Sequence, residues 1–149
     1  MAKVRDVINY LRYLRDLDEK NGEYYSLSNL KLQKLLYYCQ GGHYKWDNEK
    51  LMKDAKFEAW RYGPVIPSVY REYNRYGQND IPALLYEDFN LYLNEEETIK
   101  AVWAQLKELH AYTLVNSSHD EAPWVNNYEE GLNNPIRNKE IRKFFREEG

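Results

Sequence analysis

Cysteine is almost missing from this chain. A single one, Cys39, stands among 149 residues, so no internal disulfide can form and the sequence suits a reducing compartment. Long apolar runs are missing as well. No stretch approaches the roughly 18 to 20 apolar residues of a membrane span. The opening MAKVRDVINYLRYLRD carries a charge every few residues, where a secretory leader would be apolar. The expectation is a cytoplasmic protein that does not meet a membrane. Nor is there an excess of positive charge: 21 Lys plus Arg face 24 Asp plus Glu, a net charge of −3. Nucleic-acid binders carry a basic footprint, so nucleic acid is not the expected partner. The one basic cluster to weigh is Arg5, Arg12 and Arg15 on the first helix, read as a solvated face.

Tyrosine is abundant where other residues are scarce. There are 15, against four Phe, and apart from leucine the chain is short of large aliphatics. Tyrosine joins an apolar body to a polar tip, so part of the excess must pack the core and part suits a recognition surface. With 43% hydrophobic and 30% charged residues the composition is globular, and residues 1–149 fit one domain.

Helical periodicity dominates. Val4, Val7, Ile8, Leu11 and Leu14 form one stripe, ended by the Asn21-Gly22 turn signal. Ser28 is a candidate N-cap for a second helix whose stripe runs Leu32, Leu35, Leu36, Cys39, His43, Trp46. Gly41 and Gly42 inside it imply either close approach of another backbone or a kink. Phe57 to Tyr62 alternates with period two, which predicts a short strand. Gly63-Pro64 then makes a corner, and Pro67 opens a helix that stops near Gly77. Phe89, Leu91 and Leu93 alternate and are the candidate partner strand. Asn94 with Glu97 resembles a capping box for a helix carrying Ile99, Val102, Trp103, Leu106 and His110. A helical piece over Ala111–Ser118, another from Pro123 toward Gly131, and a terminal helix capped by Asn138 complete the chain. The expected fold is mainly α: a compact single-domain bundle of six or seven helices with a small two-stranded β ribbon.

Signatures of common chemistries are absent: no G-x-S-x-G, no H-E-x-x-H, no glycine-rich phosphate loop. Cys39 and His43 are four apart, a spacing that can place two ligands on one metal, but two ligands do not make a site. No metal and no cofactor are expected. Glu58 is the carboxylate to watch, read as an ion pair fixing the corner. His119 and Trp124 in SHDEAPW are read as a helix start with the indole folded over the junction.

Four segments carry a resemblance: LKLQKLLYYCQGGHY (30–44), FEAWRYGPVIPSVYREY (57–73), SHDEAPW (118–124) and PIRNKEIRKFF (135–145). In order and spacing the chain resembles the Panacea antitoxin domain, the SocA-like or GepA group of phage-associated proteins, from the second helix to the end. The family's marked positions here are Lys31, Leu32, Lys34, Leu35, Leu36, Tyr37, Glu58, Trp60, Gly63, Pro64, Val65, Tyr70, His119, Pro123 and Trp124. Gly42 departs from the large residue usual there, and Ser118 from threonine. The resemblance implies an antitoxin without a catalytic centre, neutralising a toxin encoded nearby by direct contact. The partner-binding residues expected are Glu58, Trp60, Arg61, Tyr62, Gly63, Pro64, Tyr70, His119 and Trp124. The alternatives are an adaptor that hands the toxin to a protease, or a small metal-dependent hydrolase.

Overall fold

A computed structural model describes residues 1–147. Among these residues seven α-helices pack together with a small three-stranded antiparallel sheet. They are α1 (Val4–Lys20), α2 (Asn29–Asp47), α3 (Pro67–Tyr73), α4 (Leu93–Leu106), α5 (Ala111–Ser118), α6 (Ala122–Val125) and α7 (Asn138–Glu147). The strands are β1 (Phe57–Trp60), β2 (Gly63–Val65) and β3 (Asn134–Ile136), in the order β2-β1-β3. No helix among the described residues is long and apolar enough to cross a membrane.

The centre is α2, which packs against α4, α7, α5, α3 and β2. Ser28 caps it, its side chain accepting the Lys31 N–H. Because neighbours cover it on every side, its polar residues are buried with its leucines: Lys31, Gln33, Lys34 and Gln40 are all 1% exposed or less. The helix runs unbroken through Gly41 and Gly42. What approaches there is a ring and not a backbone: a Cβ at Gly41 would run into the Phe145 ring of α7, and one at Gly42 would lie 2.9 Å from Trp46.

The sheet has one strand more than the sequence suggested, and its partners differ. Phe89 and Leu91 lie in the coil between Ile81 and Tyr92, and Leu93 opens α4. β1 instead pairs with β2 directly, Trp60 opposite Gly63 across a two-residue turn of Arg61 and Tyr62. Gly63 has φ +101, a backbone conformation that glycine alone adopts at little cost, so the corner closes into a hairpin. β3, near the C-terminal end, pairs with the other edge of β1, Phe57 opposite Ile136. Both outer strands carry a proline, Pro64 and Pro135, which removes a donor from each edge.

Other boundaries shift for local reasons. α4 begins at Leu93 because Glu95, not Glu97, reaches back, accepting the Tyr92 N–H at 2.8 Å. His110 falls beyond α4 and caps α5, its Nδ1 accepting the Tyr112 N–H. α6 lasts four residues. At the start of α7, Asn138 joins elements together, accepting from Gln40 and donating to the Ala55 carbonyl. Of the α1 arginines Arg5 is solvated, while Arg12 is half-buried and Arg15 buried. Arg12 and Arg15 donate to the Pro82 and Ala83 carbonyls, and Arg5 pairs with Asp88 at 3.1 Å. Asp16 and Asp6 accept the Leu84 and Asn90 N–H groups, and Phe89 packs on Tyr10 and Tyr13. The polar side of α1 fastens the 81–92 coil.

Candidate functional site

The hairpin turn gathers most of the sequence's unusual residues. Strand alternation sends Phe57 and Ala59 into the core, 2% and 0% exposed, and turns Glu58 and Trp60 to the other face. The Trp60 indole donates to Glu58 at 2.8 Å. Glu58 thus holds the indole; it forms no ion pair with Arg61. Trp60 meets Tyr70 of α3 edge-on, with ring centroids 5.1 Å apart.

The turn's backbone is held from behind at three points between Trp60 and Ile66. The Trp124 indole donates to the Trp60 carbonyl at 2.7 Å. His119 lies near the Arg61 backbone and stacks on the Trp124 ring. The Lys34 ammonium donates to the Pro64 carbonyl at 2.8 Å, and Gln33 accepts the Ile66 N–H at 2.9 Å. Gln33 is itself oriented by Asn29, which donates on to the Tyr70 carbonyl. His119, Trp124 and Tyr128 form one stack, with centroid separations of 4.0 and 4.5 Å. Gly63 completes the fit, since a Cβ there would come within 2.6 Å of Lys34 Cε and 2.7 Å of Ser118 Oγ.

Lys34 is the costly member. It is fully buried, its one hydrogen bond goes to a neutral carbonyl, and no carboxylate pairs with it. Burial pushes its pKa down to about 7, because an ammonium loses its hydration and gains no opposite charge. Burial also lowers His119, with the Lys34 charge adding to the effect and the Arg61 backbone opposing it.

Of the nine residues singled out in the sequence, the structure brings all to this one hairpin but divides their work. Arg61 and Tyr62 are exposed, and Trp60 and Tyr70 are half-buried beside them. Gly63 and Pro64 are buried, while Glu58, His119 and Trp124 hold the others in place. In front of the turn lies a cleft of about 470 Å³. Its walls are Trp60, Tyr62 and Tyr70, with Tyr112 of α5 and its cap His110; Ser28, Asn29 and Leu30 at the start of α2 add a further side, and Asp80 also lines it. Sequence reasoning missed Tyr112, His110, Asp80 and Gln33. No local pattern marks them, because they come together only when α5 and the 3-10 turn at Asn74–Tyr76 close on α2.

The remaining chemistry is quiet. Cys39 is 0% exposed and burial raises its thiol pKa, which leaves it unreactive. His43 is buried against Thr98 at 2.7 Å, with Asp47 at 3.4 Å. No group of three or more His, Cys, Asp or Glu among the described residues is arranged to hold a metal ion.

The family model described as Antitoxin SocA-like, Panacea domain matches residues 32–125, a span that includes the hairpin and all the groups that clamp it. Antitoxin SocA of Caulobacter vibrioides (strain NA1000 / CB15N) is 45% identical over 51 residues, covering 34% of this chain and 27% of that protein. The alignment therefore spans far less than the whole of that relative. No solved structure matches the chain. With more than half of its length matched, the chain belongs to the SocA-like antitoxin family as a Panacea domain, and that membership supports an antitoxin role.

Proposed function

We propose that this domain neutralises a toxin by direct contact through the β1–β2 hairpin and the cleft beside it, by binding and not by catalysis. One observation carries the reading. The turn's backbone is fixed by Trp124, Lys34 and Gln33, while Arg61 and Tyr62 are exposed at its tip. Rigid aromatic and arginine side chains, ordered before binding, are what interface hot spots are made of. Membership of the family supports the toxin as the partner, and a gene beside this one is where it is sought. Residues 1–149 act as one domain in this reading.

The test is co-expression. An adjacent open reading frame should arrest growth alone and become harmless with this chain, and Tyr62→Ala should weaken the rescue while the protein stays folded. If no neighbouring gene shows that pattern, the proposal is lost. Partner abundance during rescue separates two routes: a constant level means the toxin is covered, and a falling level means delivery to a protease.

A further inference from the structure

The side chains around the cleft specify the chemistry of what enters it. Arg61 makes no ion pair; its guanidinium lies over the Tyr62 ring, 5.5 Å from the centroid. His110 uses Nδ1 to accept the Tyr112 N–H at 3.1 Å, which puts the proton of the neutral ring on Nε2 and makes that nitrogen a donor. α2 and α5 both begin at the cleft, adding the positive ends of two helix dipoles to these two donors. The one acid in the lining, Asp80, is already engaged. Its Oδ1 accepts the Leu27 N–H at 2.9 Å, and its charge acts on the Lys31 ammonium. In a chain of net charge −3, this cleft offers donors and little free negative charge. Its other surface is aromatic: Trp60 on Tyr70, and Tyr62 edge-on to Tyr112 at 6.1 Å.

We propose that the cleft receives a short segment of the partner in which an acidic side chain stands next to an apolar or aromatic one. The carboxylate lies on Arg61 and His110, and the apolar neighbour lies against the Trp60–Tyr70 wall. Arginine offers a carboxylate two parallel donors. The volume, about 470 Å³, is in the range of small ligand pockets and holds about two or three extended residues. The proposal rests on the toxin-binding reading and adds the recognition chemistry to it.

A random heptapeptide library displayed on phage, panned against the full chain, tests it. The expected consensus places Asp or Glu beside an aromatic or aliphatic residue. A synthetic peptide of that consensus should bind about tenfold more tightly than its Asn or Gln counterpart. Arg61→Gln, an exposed change that leaves the melting temperature unmoved, should abolish that preference. No enrichment, a basic or uncharged consensus, or an acidic preference that survives Arg61→Gln would overturn the proposal. The two readings fail separately. A toxin rescued equally well by Arg61→Gln removes the acidic-segment proposal and leaves neutralisation standing. An Arg61-dependent acidic consensus with no toxic neighbouring gene does the reverse.

Discussion

At the residue scale, Lys34 shows how stability is given up for geometry. An ammonium with one neutral acceptor is a poor way to fill a core, yet it reaches the Pro64 carbonyl across a space too tight for any side chain at Gly63. Its folded pKa of about 7 lies below the unfolded value of 10.5. The folded chain therefore binds fewer protons than the unfolded chain between those limits. Stability should rise with pH across that window and fall again as pH is lowered toward 7. Urea unfolding at pH 7, 8 and 9 should show this rise, on the order of one to a few kcal/mol, and Lys34→Met should flatten it. The same variant should bind the partner less well, because the Pro64 carbonyl loses its donor. A pH slope unchanged in Lys34→Met would contradict this account.

At the element scale, the hairpin and the 81–92 coil solve the same problem by different means. Beyond the apolar residues each one buries, both are tied by side chains from a neighbouring helix. Trp124→Phe keeps a ring to stack on His119 and Tyr128 but deletes the donor to the Trp60 carbonyl. It should cost about 1–2 kcal/mol in thermal or urea unfolding, and amide exchange at Tyr62 and Gly63 should quicken. For the coil, Arg12→Ala with Arg15→Ala should raise exchange at the Leu84 and Asn90 amides by about tenfold or more, while the α2 amides stay protected. Exchange rates equal to the native protein's would show that Arg12 and Arg15 do not secure the coil.

Legibility from the sequence follows the range of the forces involved. Helices with one apolar stripe, α1 and α5, and the Pro67 start of α3 were readable because their signals lie within the segment. The partner of β1 was not. Phe89 and Leu91 alternate as strand residues do, but pairing is decided by the Gly63 turn and by β3, near the other end of the chain. Glu58 illustrates the same limit: its partner is the indole two residues on and not a cation. The candidate site was legible as a set of unusual residues and illegible as a division of labour, since burial alone separates Trp124 and His119 from Tyr62.

Across the whole molecule, α7 closes the core by laying Phe145 in the groove that Gly41 leaves open, with Tyr37 5.5 Å and Tyr38 6.1 Å from its ring. Phe145→Ala should destabilise the protein by about 3–5 kcal/mol, measured by urea unfolding; a loss under about 1 kcal/mol would mean that α7 is dispensable for the core. Removing Phe145 should not alter the hairpin's own contacts, because the residues that fix the turn come from α2 and α6. That separation has an evolutionary consequence. The groups that set the loop's shape face inward, so the two outward ones are free to change without unfolding anything. A lineage under pressure from new targets can then alter its specificity by a few surface substitutions, keeping the same frame behind them.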